Sequence, residues 1–250
     1  MLLTTRCRAY LMGLIGLAYS IHAQAEDHDG DLFDGLSFRG LVSAGMTYND
    51  RPYAKVKPET TPSIIAIGRL GDLFIEGNRA GYPLARLGWG TLSAVGQIRM
   101  HQYLEADDTA LISEDRKRAI EIGPQLSIPL SHGVVSQFSL FQDISGAHDS
   151  QEFEASVYKR FVFDRARIVA TLAAQYQSED FMNYYVGSEN YQAHAEWTTE
   201  AELLGTYDMT DDWSAILVWR YYQHGNDFDH SPLTDGDRTQ RIALGIGRYF

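Results

Sequence analysis

The sequence ends in the stretch Arg241-Ile-Ala-Leu-Gly-Ile-Gly-Arg-Tyr-Phe250, in which apolar residues alternate with small or polar ones. Successive side chains of an extended strand point to opposite faces. Four apolar side chains therefore share one face: Ile242, Leu244, Ile246 and Phe250. A closing amphipathic strand with a terminal aromatic residue is typical of the signal read by the barrel assembly machinery of the Gram-negative outer membrane. We expect these four residues to form such an assembly signal.

The same period of two recurs along most of the chain. In residues 37–48, Val42 and Met46 fall on an apolar face, and Ser43 and Thr47 fall on a polar face. This alternation is typical of half-buried strands. No segment shows a convincing helical stripe, so we predict an all-β fold. Ten further strands are predicted, at 62–70, 72–85, 89–103, 118–130, 134–144, 152–162, 166–177, 197–208, 213–223 and 239–250.

Tight turns alternate with long polar loops between these strands. The turns are Gly71-Asp72, Ser131-His132-Gly133, Phe163-Asp164-Arg165 and Thr210-Asp211-Asp212; the loops are 49–61, 104–117, 145–151, 178–196 and 224–238. Outer-membrane barrels have short periplasmic turns, long external loops and an even number of strands. Eleven candidates are an odd number, and the alternation of turns and loops breaks between 70 and 104. We therefore predict a transmembrane antiparallel β-barrel of about 12 strands, with 10 as the alternative.

The N-terminus has the three parts of an export signal in the usual order. Arg6 and Arg8 precede the apolar run 11–18, and Ala23 and Ala25 form a small-x-small cleavage site. The apolar run is too short to span a bilayer. We expect a signal peptide at 1–25, a polar leader at 26–36 and a barrel domain at 37–250.

The composition excludes several classes of protein. Acidic residues number 33 against 21 basic ones, for a net charge of −12, which argues against nucleic-acid binding. No apolar run approaches the roughly 18 residues of a membrane-spanning helix. The single cysteine, Cys7, lies in the predicted signal peptide, so we expect no disulfide and no thiolate metal site.

Four stretches carry a family resemblance. They are Pro62–Gly77 with Gly81-Tyr82-Pro83-Leu84, then Asp115-Arg-Lys117 with Ile120-Glu-Ile-Gly-Pro124, then Phe181-Met-Asn-Tyr-Tyr-Val-Gly187, and finally Ser231-Pro232-Leu233 with the closing strand. Their order and spacing resemble the MltA-interacting protein (MipA)/OmpV family of outer-membrane proteins. The chain departs from the family pattern at Arg248, where Tyr is usual, and at Val186-Gly187, where Gly-Val is usual. The matching positions of most interest are Gly77, Gly81, Tyr82, Tyr184, Tyr185, Ser231 and Pro232.

The resemblance implies a Gram-negative outer-membrane barrel that acts through binding. The family takes its name from scaffolding a lytic transglycosylase to a murein synthase, so we expect a role in organising peptidoglycan-remodelling enzymes. Outer-membrane lipid, lipopolysaccharide and the assembly machinery are the other expected partners. The alternatives are an adhesin or a narrow-channel envelope protein and, less favoured, a lipid-modifying barrel enzyme. No catalytic residue and no cofactor comes with the family.

The residues themselves also argue against catalysis and metal binding. Adjacent Ser and His residues, as in His230-Ser231 and Ser131-His132, point apart on a strand, and a Gly-x-Ser-x-Gly elbow is absent from the sequence. The acidic run Asp27–Asp31 lacks the glycine and glutamate of a calcium loop. The histidines stand outside any spaced metal motif, so we interpret most of them as solvated loop residues: His28, His101, His132, His148, His194, His224 and His230.

Charged side chains are expected inside the barrel, where they would pair and narrow any channel. The strands 197–208 and 213–223 are joined by a short turn, and counting back from it places Glu202 opposite residues 219–220. Alternation turns Arg220 inward, because its neighbours are large apolar residues suited to lipid. We therefore predict a lumenal ion pair between Arg220 and Glu202, or Glu200 if the register slips by two. Other charges predicted to face inward are Arg99, Glu121 and Arg167.

Overall fold

The computed structural model describes residues 37–99, 104–105, 111–112 and 114–250. These residues form an antiparallel β-barrel of twelve strands that closes by pairing β1 with β12, which confirms the predicted fold class. The strands are β1 (Phe38–Asn49), β2 (Glu59–Leu70), β3 (Leu73–Glu76), β4 (Arg79–Leu87), β5 (Gly90–Ile98), β6 (Ile120–Pro129), β7 (Val134–Asp143), β8 (Gln151–Val162), β9 (Ala166–Gln177), β10 (Glu196–Asp208), β11 (Trp213–Gln223) and β12 (Arg238–Tyr249). The predicted signal peptide and leader, with Ala23 and Ala25, lie outside the described residues. Within the described residues, no helix is long and apolar enough to cross a membrane.

The two ends of the barrel differ in the length of their connections. One end, here called the turn end, carries the short connections 71–72, 88–89, 130–133, 163–165 and 209–212. The opposite end, the loop end, carries the connections 50–58, 99–119, 144–150, 178–195 and 224–237. The predicted asymmetry between turns and loops is therefore present.

The twelfth strand lies within residues 72–85, which the alternation predicts as a single strand. That prediction is wrong, because the chain reverses at Gly77-Asn78 and forms β3 and β4 on either side. Gly77 has a φ of 64°, a conformation that glycine adopts without a steric penalty. Glycine at the first central position is typical of a two-residue hairpin turn. The apolar pattern continues across the turn and so hides it.

The short β3 leaves the loop-end half of β2 paired on one side only among the described residues. Ile67–Leu70 pair with β3, whereas all of β2 pairs with β1. The Ala66 carbonyl accepts a hydrogen bond from the Gly77 N–H, so the backbone groups of Pro62 and Ile64, at even spacing from Ala66, face the same edge. Proline has no N–H to donate and therefore suits an unpaired edge.

Side chains alternate between the outer surface and the lumen, as the sequence pattern predicts. On β1, Val42 and Met46 point outward, whereas Ser43 and Thr47 are buried inside. The outer surface carries an aliphatic band between two groups of exposed aromatic residues. The turn-end group is Trp89, Phe161, Phe163, Tyr207, Trp213 and Phe250, and the loop-end group includes Tyr176 and Trp197. This arrangement is typical of a barrel wall in lipid.

Two short helices fold within the loops, which corrects the expectation that no segment is helical. They are α1 (Glu179–Val186) and α2 (Asn226–His230), and a 3-10 turn spans Ser131–Gly133. The Ser178 hydroxyl accepts a hydrogen bond from the Phe181 N–H and so caps α1. An eight-residue helix is shorter than the window of about 11–18 residues over which helical periodicity is detectable, so its pattern is missed in the sequence.

Candidate functional site: the lumen and its cap

The lumen contains a cluster of charges between β10 and β11. Glu202 stands directly opposite Arg220 in the register of these strands. The Arg220 Nε donates a hydrogen bond to the Glu202 carboxylate, and Glu200 Oε1 lies 3.6 Å from the same nitrogen. Trp219 and Tyr221, at the alternate positions, belong to the outer face. Arg220 is therefore kept out of lipid, where its charge would cost about 2–4 kcal/mol at the midplane.

A second ion pair crosses the lumen from the other side of the barrel. Arg79 of β4 binds Glu154 of β8 through two parallel hydrogen bonds, Nη1–Oε1 at 2.7 Å and Nη2–Oε2 at 2.6 Å. The Gln175 amide then links Glu154 to Glu200, donating to one oxygen of each at 3.1 Å. The Arg79 and Arg220 clusters therefore form one network.

The network continues toward the loop end through Gln97. Its amide accepts from Arg79 Nε at 2.8 Å and donates to Glu121 Oε2 at 2.6 Å. Glu121 is fully buried and receives two hydrogen bonds from Arg99, which also lies 2.9 Å from Glu152. Buried charges are tolerated when paired and hydrogen-bonded in this way.

The network lines a small polar cavity in the lumen. The cavity is partly open and has a volume of about 30 Å³, room for about two water molecules, and its lining includes Asn78, Arg99 and Tyr222. Charges of both signs occupy the cross-section at this level. The arrangement can therefore exclude solutes while it braces strands from opposite sides of the barrel.

A cap made of loop segments covers the network at the loop end. The Phe181 ring of α1 lies 4.7 Å from the Arg99 guanidinium carbon and 5.0 Å from the His148 ring. Phe181, Met182 and Tyr185 of α1 pack with Phe228 of α2 in one apolar cluster. The cap therefore has a hydrophobic core of its own, which a mobile polar loop would lack.

Two further contacts tie the cap to the remaining loops. The Ser231 hydroxyl donates to the Val186 carbonyl at 2.5 Å. A second apolar cluster joins three loops through Tyr53, Leu104, Ile112 and Leu233. The loop end is therefore closed by interlocking segments.

The positions that match the family resemblance lie in these features. Tyr184 and Tyr185 belong to α1, where the Tyr184 hydroxyl accepts from the Lys117 N–H and the Tyr185 hydroxyl donates to the Lys117 carbonyl. Ser231 is a buried cap residue and Pro232 is exposed beside it. The remaining three lie in the β3–β4 hairpin: Gly77 in its turn, Gly81 buried beside the Phe74 ring, and Tyr82 on the outer face.

The four residues of the expected assembly signal share the outer face of the closing strand and its end. Leu244 and Ile246 of β12 are more than half exposed there, and Ile242 lies at the same parity. The Phe250 ring packs edge-on against Phe38 of β1, and its backbone N–H donates to the Gly40 carbonyl.

Two histidines that the sequence suggests are solvated prove to be buried. His148 bonds the Glu121 carboxylate with one ring nitrogen, at 3.0 Å, and approaches Ser150 Oγ with the other, at 2.6 Å. His224 contacts the hydroxyls of Thr198 and Thr239, and burial lowers its pKa to about 3. The interpretation as solvated residues is wrong for these two, because their loops fold back over the lumen.

The Ser150–His148–Glu121 arrangement has the spacing of a hydrolase triad but lacks its surroundings. The backbone N–H groups of His148 and Asp149 both donate to the Asp143 carboxylate, so neither is positioned to stabilise an oxyanion. Ser150 is itself 6% exposed. In the pair His230-Ser231, which the sequence analysis considers, the Ser231 hydroxyl is occupied by its hydrogen bond to the Val186 carbonyl.

Within the described ranges, no group of three His, Cys, Asp or Glu side chains is placed to hold a metal ion.

Three residues of the ion-pair network are not predicted from the sequence: Arg79, Glu152 and Glu154. The alternation of Glu152, Glu154, Ser156 and Tyr158 on one face of β8 is the signal that identifies two of them.

Comparison with known proteins places the chain among outer-membrane proteins. The family model described as "MltA-interacting protein MipA" matches residues 42–250. The outer membrane protein OmpV of Vibrio cholerae is 24% identical over 147 residues, and Omp26La of Vibrio anguillarum is 22% identical over 147 residues. Each match covers 55% of this chain and 56% of the relative, so the chain spans about half the length of these curated relatives.

Two solved structures align with most of the chain at low sequence identity. The translocator domain of the autotransporter NalP from Neisseria meningitidis has a TM-score of 0.47 at 11% identity, covering 98% of both chains. An outer membrane channel from Pseudomonas putida has a TM-score of 0.44 at 11% identity, covering 90% of this chain and 100% of that one. The two curated relatives are named outer membrane proteins, and the chain is likewise a barrel of the Gram-negative outer membrane. Short turns of such barrels lie on the periplasmic side, so the turn end faces the periplasm and the loop end faces outward.

Proposed function

Because the chain belongs to the MltA-interacting protein family, we propose that it is a non-enzymatic barrel that binds periplasmic partners and organises peptidoglycan-remodelling enzymes. The partners are a lytic transglycosylase and a murein synthase. The barrel holds them at the inner face of the outer membrane, next to the cell wall on which they act.

One observation carries this proposal: the lumen is crossed by paired charges and covered by a folded cap. Arg79–Glu154 and Arg99–Glu152 join parts of the barrel that are not neighbours in the sheet, and Phe181 packs directly on Arg99. A diffusion pore needs an open path for solutes, and paired charges across a narrow lumen block that path. The blocked lumen supports a role in which the barrel presents surfaces for binding.

The turn end supports a partner on the periplasmic side. Its connections are short and its exposed residues include His132 and Asp164. Short turns present a fixed surface, and a rigid surface costs less conformational entropy when it binds.

Site-specific photocrosslinking in intact envelopes tests the proposal. A photoreactive amino acid is placed at His132 or Asp164 of the turn end, and at Asp149 or Glu189 of the loop end as matched controls. We expect the turn-end positions to capture a lytic transglycosylase or a murein synthase. Capture of no cell-wall enzyme at either turn-end position, with the partner proteins present, contradicts the proposal.

An adhesin is the second candidate, and the ordered cap is the observation that favours it. The apolar core formed by Phe181, Tyr185 and Phe228 fixes the outward surface in one shape. Capture of host or surface molecules from Asp149 or Glu189, with none from the turn end, identifies this alternative.

A further inference from the structure

Five arginines point into the lumen at its periplasmic mouth. Arg39 and Arg69 are directly opposed on β1 and β2, at the same parity as the buried Ser43. Arg160 and Arg167 face inward by the same alternation near the turn-end limits of their strands, and Arg86 faces inward because a register shift between Pro83 and Ala85 pairs it with Thr91. Together the five form what we call the arginine ring: Arg39, Arg69, Arg86, Arg160 and Arg167. Each of them is exposed to solvent.

Most of the arginine ring lacks a carboxylate partner within the described part of the chain. Arg167 pairs with Asp208 at 2.9 Å. Among the described residues no ion pair engages the other four. Glu76, deeper in the lumen, lies within electrostatic range of Arg69 and Arg160 but makes no ion pair with either. Among the described residues, the side chains that face the lumen at this mouth therefore carry more positive than negative charge, although the turns around it also hold acidic residues, Asp72, Asp164, Asp211 and Asp212.

This local positive charge is energetically unfavourable by itself, and it contrasts with the negative net charge of the whole protein. Like charges directly opposite each other on neighbouring strands, such as Arg39 and Arg69, destabilise a sheet. The chain as a whole carries a net charge of −12. A bound anion would remove the repulsion between these arginines. Because the protein as a whole is negatively charged, it does not attract anions in general, and the arginines form a local exception.

We propose that the arginine ring binds an acidic peptide segment of a periplasmic protein. The inference rests on the proposed function and names the chemistry of its partner. Guanidinium groups bind carboxylates through paired hydrogen bonds. An extended peptide with successive carboxylates reaches several arginines at once.

The placement of the ring distinguishes this partner from other anions. Membrane lipids contact the outer face, where Lys159 and Arg248 stand at the same end of the barrel. The ring faces the lumen instead, so its ligand arrives from the aqueous periplasm. Its members are spread over β1, β2, β4, β8 and β9, which is too wide a distribution for one small anion to contact.

Binding of fluorescein-labelled hexaglutamate to the full chain in detergent micelles tests this inference. The inward double variant Arg39→Gln/Arg69→Gln is compared with the outward double variant Lys159→Gln/Arg248→Gln, which removes the same charge at the same end. We expect the inward variant to bind about tenfold more weakly and the outward variant to bind within about twofold of the unchanged chain. Raising the salt concentration should weaken binding to the unchanged chain.

A second inward double variant distinguishes a loss of binding from a failure to fold. Arg86→Gln/Arg160→Gln lies on other strands, and each variant is checked for the gel shift that an intact barrel shows when left unboiled. No binding by the unchanged chain, or equal loss in inward and outward variants, overturns the inference. Crosslinks to cell-wall enzymes that persist in the inward variants would leave the proposed function standing and reject only the arginine ring as its surface.

Discussion

Arg79 and Glu154 are joined by two hydrogen bonds of 2.7 and 2.6 Å across the lumen, which ties β4 to β8. Arg79 directly follows the Gly77-Asn78 turn, so the pair fixes the tip of the short β3–β4 hairpin. Asn78 Nδ2 also donates to the Ile98 carbonyl at 3.0 Å. The hairpin that the sequence hides is therefore held in place by the same network that closes the lumen.

Breaking this pair should destabilise the barrel strongly. Arg79→Gln leaves the Glu154 carboxylate, whose side chain is 4% exposed, without its main partner. We expect the free energy of unfolding in urea to fall by about 3 kcal/mol. Glu154→Gln should cost less, because Arg79 is 24% exposed and water can solvate it.

A double-mutant cycle measures the interaction free energy between Arg79 and Glu154 separately from their other contacts. The double variant Arg79→Gln/Glu154→Gln should lose less stability than the two single variants together, with a coupling of at least about 1 kcal/mol. Strictly additive losses would show that the two side chains act independently.

The hidden turn should require glycine. Gly77→Ala places a side chain at a φ of 64°, so we expect a loss of about 1 kcal/mol in unfolding free energy. Gly88→Ala is the matched control, because Gly88 is also in a short turn and an added Cβ there meets nothing within 4 Å. Equal effects at the two positions would contradict the assignment of the turn at Gly77.

Acid should loosen the cap through His224. Burial lowers the pKa of His224 to about 3, and the charge of Asp237 opposes this shift only in part. An opened loop takes up a proton below its ordinary pKa of 6.5, whereas the folded cap holds His224 neutral. The closed cap therefore loses about 1.4 kcal/mol per pH unit as the pH falls from about 6.5 toward 3.

Hydrogen exchange of residues 224–237, corrected for intrinsic rates, measures this effect. Protection should fall by about 2–3 kcal/mol between pH 7 and pH 4.5. His224→Gln should remove most of the pH dependence, and the exposed turn residue His132→Gln should leave it intact. Exchange that is independent of pH in the unchanged chain would exclude His224 as the cause.

The terminal aromatic residue should matter for assembly more than for the stability of the finished barrel. Phe250 is 64% exposed, and its backbone hydrogen bonds to Gly40 survive substitution of the ring. Phe250→Ser should therefore lower the amount of assembled, heat-modifiable protein in cells and change its urea midpoint little. Phe161→Ser, also on the outer face of the turn end, is the control. An unchanged level of assembled Phe250→Ser protein would contradict a role of Phe250 in assembly.

The sequence predicts those features of the fold that depend on segments adjacent along the chain. Alternation assigns side chains to the lumen or the lipid, and a short turn sets the register of its hairpin, so the position of Glu202 opposite Arg220 can be counted from residues 209–212. The position of Arg79 near Glu154 depends on barrel closure, since their strands are far apart in the sheet. No local pattern contains that information.

The loops account for the other differences from the sequence prediction. His148 and His224 stand in polar segments, and polarity favours solvent exposure. Their burial arises because α1 and α2 fold back over the lumen, around Phe181 and Phe228. These contacts join residues from separate loops, which composition and periodicity do not reveal.

A binding role for this barrel requires a lumen that is closed by its charge network and cap, and electrical recording across a planar bilayer measures whether it is closed. The purified barrel should insert without producing stable conductance steps at neutral pH, and the variant Arg79→Gln/Arg99→Gln, with the network broken, should produce them. Regular, ohmic steps from the unchanged chain would show an open pore and contradict a closed lumen.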